Sequence, residues 1–279
     1  MTPVVRASGA SGVDPFALRD LAVQAAVEAA AWVAENRPRG RVDVASTKSS
    51  PTDVVTEFDT GAERLLRRRL LGTRPDDGIL GEEGASVDTR SGVVWVVDPI
   101  DGTVNFVYDH PGYAVSVAAQ VDGASVAGAV VDIGTGTTYS AVRGGGALLH
   151  PAGGGPGRTL RIADPPTLDQ ALVATGFNYD VDIRSAQATA VAALLGQVRD
   201  IRRVGAASLD LCMVASGQVD AYLEQGLNEW DRAAGGLVAE EAGAVVVDLE
   251  GGRPSKRMTM AAAPRLLEPL RRAAVDCGF

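Results

Sequence analysis

Trp95-Val96-Val97-Asp98-Pro99-Ile100-Asp101-Gly102-Thr103-Val104-Asn105-Phe106 joins an apolar run to two carboxylates, a glycine and a threonine. Val93 to Val97 are apolar without a break, the pattern of a strand covered on both faces. Pro99 fixes its own φ and biases Asp98 toward an extended conformation, so a stiff turn is expected between Asp98 and Asp101. Two carboxylates on such a turn suit a hard cation such as Mg²⁺. Gly102 lets backbone N–H groups approach an anion, and a helix starting there would aim its positive end at it. A strand ending in an ordinary Asx-type turn has the same local signature, so other segments must decide.

Upstream, Ile79-Leu80-Gly81-Glu82-Glu83-Gly84 sets two acids between glycines. Downstream, Trp230-Asp231-Arg232-Ala233-Ala234-Gly235-Gly236 places Asp231 at the start of a helix that runs through Glu241. Lys48-Ser49-Ser50-Pro51-Thr52-Asp53 and Thr56-Glu57-Phe58-Asp59 complete an ordered set. A hard divalent ion takes oxygens from several segments, and a substrate phosphate finishes its shell. Singly, each piece has a plainer reading. Glu82 and Glu83 make a solvated turn, Asp231 and Thr103 are helix N-caps, and Thr56 with Asp59 is a capping pair.

Composition narrows the chemistry. With 35 acidic and 26 basic residues the net charge is −9, which disfavours a nucleic-acid partner. An anionic substrate stays compatible if bound cations reverse the local sign. Two cysteines, Cys212 and Cys277, fit a reducing compartment rather than a disulfide scaffold. The first fifteen residues lack a signal-peptide pattern, and no apolar run nears the ~20 residues a membrane helix needs. A cytoplasmic protein with no membrane contact is expected.

Covalent routes to phosphate-ester hydrolysis are poorly provided for. Gln218 stands six residues after Cys212, where a cysteine phosphatase needs an arginine. Asp98-Pro99-Ile100-Asp101 is one residue too long for an aspartyl-phosphate D-x-D, and the chain has only two histidines, His110 and His150. Metal-activated water remains.

Residues 1–13 are small and Gly/Ser-containing and read as a disordered tail. Asp14-Pro15 starts a helix whose apolar stripe runs from Leu18 to Val33, and a second helix is expected over Glu57–Leu71, with Glu63 and Arg67 as a supporting i,i+4 pair. Alternation from Ala114 to Val142, with turns at Asp122-Gly123 and Gly134–Gly136, predicts antiparallel hairpins. Gly144–Gly146 and Pro151–Gly157 mark a break. After it, strand and helix alternate to Asp248. The expected class is α/β, with an α+β half over 14–150 and an α/β half over 151–279.

The ordered motifs Lys48–Asp59, Gly81–Glu83, Trp95–Phe106, Gly205–Cys212 and Trp230–Gly236 resemble the inositol monophosphatase family of Mg²⁺-dependent phosphomonoesterases. The resemblance runs from about Phe16 to Gly278. It implies a layered αβαβα sandwich, usually a homodimer, that uses two to three Mg²⁺ ions. It implies that Glu82, Asp98, Asp101, Asp231 and the carbonyl of Ile100 bind metal. Thr103, Asp59 and Glu82 would activate water, and Gly102 and Thr103 would hold the phosphate. Gly205, Ala206, Ala207, Glu224 and Asp231 would contact substrate, and the loop of Lys48 and Asp53 would close over the site and a third ion. Val104, often Thr in the family, and Asn228-Glu229 before the tryptophan depart from the pattern. Inositol-1-phosphate or a similar small polyol phosphate is the expected substrate. Histidinol phosphate, fructose 1,6-bisphosphate and phosphoadenosine phosphate are alternatives within the fold, and binding to the transcription machinery is an alternative of another kind.

Overall fold

The computed structural model describes residues 13–48, 50–163, 165 and 167–279; of the expected disordered tail, only Val13 falls among them. Asp14 caps α1 (Pro15–Asn36), its carboxylate accepting from the Phe16 N–H at 2.9 Å, and proline stands at the first helical position. Two short strands, β1 (Ser46–Thr47) and β2 (Val54–Val55), pair antiparallel and lead into α2 (Glu57–Thr73). Leu66 and Leu70 of α2 point inward, whereas Leu65 is only half-buried. The expected Glu63–Arg67 pair forms at 2.8 Å, with Glu63 itself buried.

β3 (Gly78–Gly81) runs parallel to β4 (Val93–Asp101), which carries the decisive stretch. The stiff turn expected between Asp98 and Asp101 is instead a continuation of β4, interrupted by a register shift where Pro99 falls. Proline cannot donate to a ladder, so inside a sheet it belongs at such a bulge. The bulge re-aims both carboxylates. α3 (Thr103–Tyr108) follows at once, and β5 (Ala114–Val121), β6 (Ala124–Asp132), β7 (Thr138–Val142), β8 (Gly146–His150) and β9 (Arg158–Thr159) complete an antiparallel run. The sheet order is β3-β4-β5-β6-β7-β8-β9, so the strand after the Gly-rich break still belongs to the first sheet.

The remaining chain gives β10 (Leu172–Thr175), α4 (Val181–Leu195), β11 (Asp200–Arg202), α5 (Ala207–Ser216) and β12 (Ala221–Glu224). It ends with α6 (Glu229–Glu241), β13 (Val245–Val247), β14 (Thr259–Ala262) and α7 (Pro264–Cys277). The five-stranded sheet has the order β11-β10-β12-β14-β13, parallel among its first three strands and antiparallel beyond. α1 and α2 cover one face of the seven-stranded sheet; α5 and α6 lie between the two sheets; α4 and α7 close the outer face of the second. These five layers are the αβαβα sandwich. Few aromatic residues are needed because the helix–sheet contacts are built on Ala, Val and Leu, whose short side chains bring the layers close.

Candidate active site

Four segments end at one cleft of about 370 Å³, lined among others by Lys48, Asp53, Glu82, Asp98, Asp101 and Asp231. Glu82 arrives on the turn after β3, Asp98 and Asp101 on the bulged end of β4, and Asp231 on the first turn of α6. Asp231 is not the N-cap. It stands three residues after the capping residue Asn228 and accepts its backbone N–H at 2.6 Å, which fixes one carboxylate oxygen in place. Asp98 uses Oδ1 to accept from the Ile100 N–H at 3.0 Å. Asp101 is gripped from the second half of the chain: the backbone N–H and hydroxyl of Ser208, at the start of α5, donate to its Oδ2 at 2.7 and 2.5 Å.

Gly102, between β4 and α3, has φ +89°, in the region that only glycine enters freely. A Cβ there would lie 2.7 Å from the Gly112 carbonyl oxygen and 3.1 Å from that of Gly205. The site is therefore closed by three backbone segments in contact. Thr103 opens α3 without capping it; the cap position is Gly102. Its hydroxyl donates toward Asp59 Oδ1 at 3.1 Å and the Ile100 carbonyl at 2.9 Å. Asp59 is fully buried, and its other oxygen accepts the Thr56 N–H and hydroxyl at 2.7 and 2.5 Å. Helix capping and the link to Thr103 thus share one carboxylate, and the two readings of Asp59 coexist.

Burial pushes the pKa of each clustered acid up, and like charges add to it. Asp98 is raised well above the carboxylate range by desolvation and then by Glu82, Asp101 and Asp231. Asp231 is raised well above it by desolvation and then by Asp101 and Glu82. Glu82 is raised to about 7 by burial, with Lys48 opposing the shift. Lys48 is the nearest cation, its Nζ 2.7 Å from Glu82 and 2.5 Å from Glu83. The cleft is lined by six acids, Asp53, Glu82, Asp98, Asp101, Glu224 and Asp231, against three cations, Lys48, Arg203 and Lys256, so its acids call for more positive charge. The donors are carboxylate and carbonyl oxygens without cysteine or histidine, which suits Mg²⁺ and disfavours zinc. Among the described residues no three His, Cys, Asp or Glu side chains close on a single ion-sized point.

The cleft is also lined by Gly205, Ala207 and Glu224, which the resemblance assigns to substrate, and by Tyr179, Arg203 and Trp230. Ala206 does not line it; its side chain is buried in the Ala-rich core. The Tyr222 hydroxyl, wholly buried, donates to Glu224 Oε2 at 2.7 Å, and burial raises Glu224 to about 7. Ser208, Tyr222 and Arg203 were not anticipated from sequence. Ser208 had one faint signal, a hydroxyl in the first turn after Gly205-Ala206-Ala207.

A model of the inositol monophosphatase family matches residues 15–277. The chain belongs to the inositol monophosphatase family. It is 48% identical over 271 residues to the inositol-1-monophosphatase SuhB of Mycobacterium tuberculosis, covering 92% of this chain and 93% of that protein. A solved structure of Mycobacterium tuberculosis SuhB superposes with TM-score 0.81 at 46% identity, over 95% of this chain and 98% of that one. The protein named Nus factor SuhB of Pseudomonas aeruginosa is 39% identical over 218 residues, or 76% of this chain and 78% of that protein. Family and five-layer fold therefore agree, and a phosphatase is the activity the family implies. No helix among the described residues is long and apolar enough to cross a membrane.

The raised acids make stability depend on pH and metal. Clustered carboxylates bind protons more readily folded than unfolded, so the metal-free protein loses stability as pH rises. The loss begins near the ordinary Glu value of 4.5 and continues through about 7 for Glu82. In chelator, the melting temperature at pH 8 is expected to fall roughly 5 °C below that at pH 5.5. Mg²⁺ should reverse the trend, raising Tm more at pH 8 than at pH 5.5, because metal and protons compete for the same oxygens. Thermal scans at the two pH values, with and without Mg²⁺, check both signs.

Proposed function

We propose that this family member is a Mg²⁺-dependent phosphomonoesterase acting on inositol-1-phosphate or a similar small polyol phosphate through metal-activated water. What carries the reading is the meeting of Glu82, Asp98, Asp101 and Asp231 with the Thr103–Asp59 pair at one cleft. In this reading Glu82, Asp98, Asp101, Asp231 and the Ile100 carbonyl hold two to three Mg²⁺ ions. When bound, the cations lower the pKa of a water and neutralise the leaving oxygen.

The chain's own groups do the rest. Thr103 has one hydroxyl proton, and both Asp59 and the Ile100 carbonyl compete for it. Its lone pairs are thereby left to accept from the attacking water, with Asp59 as the buried base behind. Gly102 and Thr103 supply backbone N–H donors for phosphate oxygens. Asp53, on the wall of the same cleft, belongs with Lys48 to the loop that covers it. The reading includes a cytoplasmic setting, which two free cysteines suit, and a homodimer.

Phosphate release from inositol-1-phosphate, histidinol phosphate, fructose 1,6-bisphosphate and phosphoadenosine phosphate, with Mg²⁺ and with EDTA, tests the reading. Mg²⁺-dependent release on a polyol phosphate supports it; no release from any of the four by a folded protein removes it. Glu224, set by Tyr222 at the substrate end, is the group we assign to hydroxyl recognition. Glu224→Gln is expected to change the ratio of kcat/KM between two substrates about tenfold while moving kcat on the better one much less. Equal loss on all substrates would remove the recognition role.

The relatives named Nus factor SuhB favour a second reading, in which the protein binds the transcription machinery. A pull-down that recovers RNA polymerase with wild type and with a metal-ligand variant alike supports that role as separate from hydrolysis.

A further inference from the structure

Glu63 lies outside the cleft, on the face of α2 turned toward the Gly81–Gly84 turn, and it is 2% exposed. Its Oε2 accepts the backbone N–H of Glu83 at 2.7 Å, and its Oε1 accepts from Arg67 Nε at 2.8 Å. A Cβ built at Gly81 would lie 2.6 Å from the Glu63 carboxyl group, and one at Gly84 would lie 2.5 Å from Oε1 and 2.7 Å from Arg67 Nη2. Both glycines of Gly81-Glu82-Glu83-Gly84 are therefore there because the turn is wrapped around this carboxylate. On the outer side Lys48 pulls on Glu82 and Glu83 together.

We propose that Glu63 is a positioning residue that sets where Glu82 points, by filling the inside of the turn. The proposal rests on the reading that Glu82 holds a divalent cation. The Glu83 N–H belongs to the peptide unit that follows Glu82, so fixing it fixes the plane from which the Glu82 side chain departs. With the inner grip removed, only the outer pull of Lys48 remains, and Glu82 follows the ammonium instead of the cation position. An ordinary helix-surface pair would need neither burial nor two glycines. Groups that orient metal ligands from behind are worth about 10- to 100-fold in metal affinity.

The test is Mn²⁺ binding by the full chain, followed by the electron paramagnetic resonance of the free ion, which needs no turnover. Glu63→Gln places an N–H against one of the two donors that the carboxylate now accepts, and Gly84→Ala pushes the carboxylate from the other side. Each is expected to raise the Mn²⁺ Kd about tenfold. The Mg²⁺ needed for half-maximal phosphate release should rise with it, while kcat at saturating metal stays within about threefold. Leu70→Val, in the core face of the same helix, is expected to lower Tm and leave the Mn²⁺ Kd unchanged. A wild-type Kd in Glu63→Gln would overturn the assignment, and so would an equal rise in Leu70→Val, which would reduce the effect to lost stability. Wild-type protein that binds no Mn²⁺, or Glu82→Gln that binds it like wild type, would remove the cation reading and the role of Glu63 with it.

Discussion

Asp98→Asn is expected to lower phosphate release at least about a thousandfold while raising the melting temperature of the metal-free protein. The first effect follows from the proposed role of Asp98 as a metal ligand, whose charge the variant removes; a Lewis-acid contribution of several kcal/mol corresponds to that factor. The second follows from the surroundings of Asp98. It is wholly buried, and Glu82, Asp101 and Asp231 all oppose its ionisation. An asparagine keeps the carbonyl that accepts the Ile100 N–H and deletes the repelled charge. Asp101→Asn should show a smaller gain, because Ser208 and the Ala207 N–H already support that carboxylate. Thermal scans in EDTA rank the two variants. A metal-free Asp98→Asn protein that melts below wild type would show that the acid cluster is not under repulsive strain.

Gly102→Ala is expected to remove activity and to destabilise the fold by about 2–4 kcal/mol, or roughly 10 °C in Tm. Two costs add. A left-handed φ of +89° strains any residue with a Cβ, and the new methyl would meet the Gly112 carbonyl oxygen at 2.7 Å. That obstacle is backbone and cannot rotate away. Chemical denaturation of the variant measures the loss directly; a change under about 1 kcal/mol would mean that the three segments separate at little cost.

The residues proposed to hold metal stood out in the sequence because they sit at strand ends and helix starts, where local pattern and chemistry coincide. Val93–Val97 read as a buried strand, and it is one; the helix predicted from Asp14-Pro15 and the hairpins from Ala114 to Val142 formed as read. Pro99 reads as turn chemistry, but pairing of Asp98 and Asp101 with β5 on either side holds the chain extended and turns the proline into a bulge. Spacing along α2 showed the Glu63–Arg67 pair, which forms, but could not show the turn twenty residues on that Glu63 also holds. Ser208 was hidden for the same reason: it acts on Asp101, whose position relative to it only the packed layers define. Tyr222 and Glu224 stand two residues apart on β12, a same-face pair that strand alternation could have shown. α7 was not predicted; Pro269 interrupts the pattern that would have marked it.

The grip of Ser208 on Asp101 spans 107 residues of chain. During synthesis, Glu82, Asp98 and Asp101 leave the ribosome well before the helix that steadies one of them and the helix that brings Asp231. A nascent chain that ends near the Gly-rich break carries most of the acids but lacks Asp231 and the Ser208 grip on Asp101. It must keep a concentrated negative charge apart in water until its second half docks, and long-range closure of that kind is slow. In the proposed reading the full ligand set exists only once the last-made layers have arrived, and an interrupted chain has no means of assembling it early.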